Sequence, residues 1–327
     1  MTSCRNWVLA CLAGAIVVSS PARAQQWPQN PIKLVVSAAA GGPIDVFARV
    51  MAESLTPSLG QSVIVENIAG AGGAIGGQHV ARATPDGYTA LLGTSATHTF
   101  SQLLYKKPLY DAQADFASVG LMAEIPLVLI TRKDLPAQTL SEFVAYAKAN
   151  APKMNYGSAG VGSSTHLGCA LLASAMAVQI NHVPYRGTGP AMQDLMAGRI
   201  DFLCEIVVTA APQIEGNNVK AIATMALERS PVLPNVPTTV ESGFPKLTAE
   251  SFTALFMPRG TPREITDKMN SAMLRALDEP QVRAKLQQLG ASVVKPERRT
   301  PAYLANFVGD ELTKWRKIVE TSGIEPQ

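Results

Sequence analysis

From Pro31 onward, short apolar runs alternate with segments whose apolar residues recur at helical spacing, and that alternation restricts the fold most. Pro31 to Val36 is an apolar run that reads as a buried strand. The segment after it places Val46, Phe47, Val50, Met51 and Leu55 on one helical face, and Pro57 and Gly60 end it. Ser62 to Glu66 is a second strand. The glycine-rich run Gly70 to Gly77 leads into a helix reaching Ala83, and Pro85-Asp86-Gly87 turns into a third strand, Tyr88 to Leu92. Strands alternating with helices predict an α/β fold in which mostly parallel sheets are flanked by helices.

The alternation breaks twice. Val119 to Ala123 and Leu127 to Thr131 are apolar strand segments separated by Pro126, and Phe252 to Met257 is a second apolar run after the proline-rich segment Pro231 to Pro245. Both read as crossings between lobes. Between them the pattern resumes: a helix at Leu140 to Ala149, a strand at Met154 to Tyr156, and a helix ending at Met176. A strand at Asn181 to Val183, a helix at Gly189 to Ala197, and strands at Ile200 to Cys204 and Val219 to Met225 follow. The remainder is helical over Glu264 to Leu277, Gln281 to Leu289 and Tyr303 to Val319. A chain of 327 residues exceeds one ordinary core. The expected architecture is two-lobed. Residues 25–125 and 251–327 form a discontinuous lobe 1, residues 126–250 form lobe 2, and the ligand cleft lies between them.

Residues 1–24 have the layout of a secretory signal peptide: Arg5 as the basic end, an apolar stretch from Trp7 to Val18, and Ala22-Arg23-Ala24 as the cleavage site. The expected location is therefore the periplasm, with cleavage after Ala24. The formal net charge of +3 falls towards neutrality once Arg5 and Arg23 leave, and no basic run remains for nucleic acid or an anionic membrane. Cys4 and Cys11 leave with the leader. Cys169 and Cys204 stay, in apolar contexts that favour buried free thiols, with a bridge between them left open. No spacing of His, Cys or carboxylates suggests a metal, and no cofactor is expected.

Three strand-to-helix turns carry the candidate site. One runs from Asn155 to His166, with Ser158, Ala159, Gly160, Val161, Gly162, Ser163 and Ser164 as ligand-binding candidates and Ser163 or Ser164 as the helix cap. A second is Ser37 to Asp45, with candidates Ala40, Gly41, Gly42, Pro43, Ile44 and Asp45. A third is Gly93 to His98, with Thr94, Ser95 and His98. None contains Lys or Arg, so the ligand is expected on backbone N–H groups, hydroxyls and helix dipoles. Asp45 either meets a ligand ammonium group or complements its own helix dipole. His166 either packs in the first helical turn or touches ligand; His79 and His182 lie outside the candidate turns. Gly70 to Gly77 fails dinucleotide spacing and lacks a P-loop lysine, so it reads as a turn with close packing.

Several short motifs in fixed order make the chain resemble the Bug family, the substrate-binding proteins of tripartite tricarboxylate transporters. They are Gly41-Gly42-Pro43 with Asp45, Val65-Glu66-Asn67 followed by Gly70-Ala71-Gly72-Gly73, and Pro85-Asp86-Gly87-Tyr88-Thr89. Tyr156 to Gly160 with Ser163 and His166, His182-Val183-Pro184-Tyr185, Leu233 to Thr238 and Gly260-Thr261-Pro262 complete the set. The likeness extends from Pro31 to about Ile324. It implies a two-lobed, type II periplasmic binding-protein fold and a solute-binding protein, not an enzyme. Such a protein would hold a small mono- or dicarboxylate, aromatic bodies included, and deliver it to membrane subunits of such a transporter. A monomer is expected. The chain departs from the family's pattern at Ile44 where Thr is usual, at Phe252 where Trp is frequent, and at Cys204-Glu205 where Asp-Asn is common. The last departure adds Glu205 to the candidates.

Two other classes compete. Gly93-Thr94-Ser95-Ala96-Thr97 approaches the nucleophile elbow of a hydrolase using Ser95, without its final glycine. The same fold could also present ligand to a sensor.

Overall fold

The computed structural model describes residues 27–185 and 187–321. The leader and Arg186 lie outside the described residues. The first three strands, β1 (Ile32–Val36), β2 (Val63–Asn67) and β3 (Thr89–Thr94), pair in parallel in the order β2-β1-β3. Helix α1 (Pro43–Leu59) covers them, with Pro43 in its first turn and Gly60 closing it at φ 75°. Phe47, Met51 and Leu55 are buried, each contributing about 1.5–3 kcal/mol of apolar transfer. Val46, expected on that stripe, is 39% exposed; it stands one residue off the buried face. Helix α2 (Ala74–Ala81) starts inside the glycine run and ends two residues before Ala83.

The largest difference from the sequence reading lies in the crossings. The two segments around Pro126 are one strand of 17 residues, β4 (Phe116–Arg132). Its first part pairs antiparallel with β9 (Glu250–Pro258) and with the short β10 (Ser292–Val293). Its last part pairs with β7 (Phe202–Ile206) and β8 (Val219–Thr224). Pro126 stands opposite Glu250, the last pair with β9, and the next residue, Leu127, begins the pairing with β7. A proline without an N–H is tolerated where a strand exchanges partners. The outer strands β5 (Asn155–Ser158) and β6 (Asn181–Pro184) pair in parallel with each other, and β5 also with β7. The whole is one mixed sheet with parallel outer strands and antiparallel crossing strands.

Helix α4 (Leu140–Asn150) opens on a full capping box, with Thr139 and Glu142 satisfying each other's backbone N–H groups. Helices α5 (Ser164–Met176), α6 (Thr188–Met196) and α7 (Val207–Glu215) flank the second strand set. The sequence reading left α7 out; Pro212 lies inside it. Helices α8 (Arg263–Asp278), α9 (Pro280–Gln288) and α10 (Pro301–Thr321) complete the chain. On α10, Leu304, Val308, Leu312, Trp315, Ile318 and Val319 are buried, as the stripe predicts. Between β3 and β4 a π-helical turn, Ala96–Phe100, runs into α3 (Ser101–Leu103).

The cysteines correct the expectation of free thiols. Cys169 on α5 and Cys204 on β7 form a disulfide, with Cα atoms 5.4 Å apart and both residues wholly buried. The same apolar setting that suggested free thiols brings the two side chains together in one core.

Candidate functional site

The turn from β5 to α5 is built around two glycines that only glycine geometry suits, Gly160 at φ 120° and Gly162 at φ 80°. Most of its donors are consumed inside the turn. Ala159 N–H donates to Thr165 Oγ1 (2.9 Å), Gly160 N–H to Ser158 Oγ (3.0 Å), and Ser163 N–H to the Gly160 carbonyl (3.2 Å). Ser163 caps the helix, its Oγ accepting from His166 N–H at 3.2 Å. Three donors remain without a protein acceptor among the described residues: the N–H groups of Val161, Ser164 and Thr165. They sit at the positive end of a 13-residue helix.

A stack of rings supports the turn from behind. His166 and His182 lie face to face with centroids 3.9 Å apart, and Tyr156 stacks on His182 at 4.9 Å. Gly162 N–H donates to His166 Nδ1 at 3.1 Å, and His182 Nε2 bonds Ser158 Oγ at 2.7 Å. Nδ1 can accept only on a neutral ring. Burial, with His182 adding to it, pushes His166 down to about 3, and burial pushes His182 down to about 4. The sequence reading left His182 outside the site; its place under the turn follows from β6 pairing with β5, which no local pattern reveals.

A cavity of about 390 Å³ opens in front of the turn. Ala159, Val161, Gly162, Ser163 and Ser164 form one wall. Gly72, Ala96, Phe100, Ser101, Leu104 and Tyr105 form the other, and Ser251 of β9 closes one side. No charged side chain is among these twelve. The second wall was missed in the sequence. Hydroxyl-rich Thr94 to Thr99 has poor helix propensity, so the π-turn that aligns Ala96, Phe100, Ser101 and Leu104 gives only a faint signal in the apolar pair Phe100 and Leu104. Gly72 belongs to the run read as packing.

The other predicted residues fall elsewhere. Asp45 is buried and saturated: it accepts from Gly41 N–H (2.9 Å), Arg49 Nε and Nη2 (2.9 and 3.0 Å) and Asn67 Nδ2 (3.0 Å). The Arg49 guanidinium, then the Gly41 N–H, hold its carboxyl at about 2. Asp45 therefore braces its loop, in place of meeting a ligand ammonium. Ala40, Gly41 and Pro43 are exposed, Gly42 and Ile44 half-buried, and none of the five lines the cavity.

Thr94 lies under the π-turn, its N–H donating to Thr97 Oγ1. Ser95 is wholly buried and its Oγ accepts the Phe252 N–H at 3.0 Å, so it offers no exposed nucleophile. His98 is equally buried, stacked 3.6 Å from Phe256, and burial lowers it to about 3. Both are corrected from ligand contacts to core. Ser158 is buried, and its Oγ is taken up by Gly160 and by His182 Nε2. Glu205 is 1% exposed, with Oε1 accepting from Ile206 N–H and Thr209 Oγ1; burial raises its pKa.

Residues 47–324 match the family model described as the tripartite tricarboxylate transporter family receptor. Among solved structures, the periplasmic binding protein BugD is 37% identical, with a TM-score of 0.76, 92% of this chain and 100% of that one covered. MatC of Rhodopseudomonas palustris, with bound malate, is 41% identical at TM-score 0.76, covering 90% and 100%. R. palustris Rpa4515, solved with adipate, is 31% identical at TM-score 0.78, covering 92% and 100%.

Proposed function

The chain belongs to the tripartite tricarboxylate transporter receptor family, whose members are periplasmic solute-binding receptors and not enzymes, and from that premise we propose that it captures a small carboxylate and delivers it to the membrane subunits of such a transporter. The ligand is a mono- or dicarboxylate, with an aromatic body allowed. One observation carries this: the unpartnered N–H groups of Val161, Ser164 and Thr165 at the start of α5, beside a cavity without a cationic side chain. Such donors suit an oxyanion. A hydrogen bond to a charged acceptor contributes about 1.5–3 kcal/mol, and the helix end about 0.3–1 kcal/mol. Association itself costs about 4–15 kcal/mol, and micromolar affinity needs about −8 kcal/mol. The turn alone is insufficient, so the facing wall must contribute.

The lobes of this receptor are residues 25–125 with 251–327, and residues 126–250, exported by cleavage after Ala24. The exposed loop Ala40 to Ile44 joins the ligand only when the lobes close. The malate and adipate carried by two solved relatives support the ligand class. A thermal-shift screen of mono- and dicarboxylic acids, followed by calorimetry, tests it: saturable one-to-one binding without turnover is expected. Scattering profiles identical with and without saturating ligand would count against closure, and absence of binding by every acid would sink the carboxylate assignment.

A further inference from the structure

Along the turn from Ala159 to Ser164, the N–H groups of Ala159, Gly160, Gly162 and Ser163 find acceptors, and those of Val161 and Ser164 are left for a ligand. Two of those acceptors trace to one pair of rings. Gly162 N–H ends on His166 Nδ1 at 3.1 Å. Gly160 N–H ends on Ser158 Oγ at 3.0 Å, and that oxygen meets His182 Nε2 at 2.7 Å. The rings come from different elements, α5 and β6, and lie face to face with their planes 11° apart. Neither ring lines the cavity.

The turn needs such anchors because of its own residues. Gly160 at φ 120° and Gly162 at φ 80° flank Val161, and glycine populates positive and negative φ about as readily. The peptide between Val161 and Gly162 therefore has little intrinsic preference for its present orientation over the reversed one. Reversal would carry the Val161 carbonyl to where the Gly162 N–H now stands, against the lone pair of His166 Nδ1. The ring thus selects one of two orientations.

Resting on the carboxylate assignment above, we infer that His166 and His182 are positioning residues of this receptor. They act through the Gly162 and Gly160 peptides, not by touching ligand, and so hold the Val161 and Ser164 N–H groups ready for a carboxylate. Donors fixed before binding spare the ordering cost that a loose turn would pay on association. The role requires a neutral His166, because Nδ1 accepts only without a proton. Burial keeps both rings far below the ordinary histidine value, so the acceptor persists across the neutral range.

Calorimetry at neutral pH on the mature protein, with malate and adipate as probes, tests the link to binding. His166→Phe keeps a flat ring in the stack and removes the acceptor, whereas His166→Asn puts an amide oxygen close to the place of Nδ1. His166→Phe is expected to lose roughly fivefold or more in affinity, the worth of one net hydrogen bond, and His166→Asn to recover most of that loss. His182→Phe and His182→Gln should behave as the corresponding pair at Ser158. Phe variants that bind like the parent, or Asn and Gln variants that lose as much as the Phe variants, overturn the inference and leave the carboxylate assignment standing.

A second measurement is independent of any ligand. Amide hydrogen exchange should show Gly162 protected in the parent, at least tenfold less protected in His166→Phe, and protected again in His166→Asn, with β5 unchanged throughout. Unaltered Gly162 exchange in a folded His166→Phe protein overturns the positioning role whichever acid binds. Heat from neither acid in the parent counts against the carboxylate assignment alone, and exchange then decides whether the rings hold the turn.

Discussion

Leu104 and Gly162 meet across the cavity: a methyl group built on Gly162 would come within 2.8 Å of Leu104 Cδ1. Gly162 also holds φ 80°, a conformation that costs an L-residue roughly 1–2 kcal/mol. Gly162→Ala is therefore expected to lose at least tenfold in ligand affinity while the protein still folds. Adding Leu104→Ala should recover part of that loss by removing the clash and leaving the backbone strain. Calorimetry on the single and double variants separates the two causes; an unaffected single variant would remove Gly162 from the site.

The ring stack predicts acid sensitivity. His166 and His182 are held neutral, near 3 and 4, against an ordinary value of 6.5. A depressed pKa means that the unfolded chain takes up protons first as pH falls. The stability they contribute is present above about 6.5 and is lost as pH drops towards 4 and then 3. His182→Gln, which can still bond Ser158 Oγ, should unfold at a temperature that varies less between pH 7 and pH 4.5 than the parent's does. Equal slopes would show that the stack does not govern this window.

Glu250 acts in the opposite sense. Burial, then the nearby charge of Glu124, raises its carboxyl to about 8 from 4.5, with Lys314 and Arg298 opposing and Glu311 adding to the rise. Arg298 clasps Glu124 with two hydrogen bonds, of 2.6 and 2.7 Å. A raised pKa means that stability is full below about 4.5 and declines as pH rises through about 8. Glu250→Gln should match the parent in urea denaturation at pH 5 and exceed it at pH 9. A parent that is equally stable at both values would contradict this.

The disulfide closes a span of 35 residues, for which the chain-entropy estimate is about 3–4 kcal/mol. Cys169→Ser should lower stability by about that amount and loosen α5, whose first turn carries the donors. In the mature chain, unfolded without reductant, thiol reagent should find no free cysteine; two reactive thiols would refute the bridge.

Where local chemistry sufficed, the sequence was readable. The cap at Ser163 and the stripe from Leu304 to Val319 were legible because each depends on neighbours within a few residues. Half of the cavity, Ala159 to Ser164, was legible for the same reason. The other half was not. Phe100, Leu104 and Tyr105 reach the cavity through a π-turn whose residues favour no helix, and Ser251 through a strand pairing far along the chain. Asp45 shows the converse: its polar setting looked like a ligand site, but Arg49 one helical turn on and Asn67 from another strand saturate it. His98 and Ser95 lie in a hydroxyl-rich stretch like that of the candidate site and proved to be core, since burial is a property of the assembled sheet.

Strand β4 carries a mechanical consequence. It passes without interruption from one set of partners to the other, and β9 runs beside it for nine residues, with two shifts of register between them. A ladder of that kind offers no loose joint on which the halves could swivel. Any relative movement must be spread along the ribbon as added or released twist, and the bulges at its register shifts are where it bends most readily. A ribbon built this way would act as a leaf spring, storing any bend along its length and returning towards its resting curvature once the load is removed.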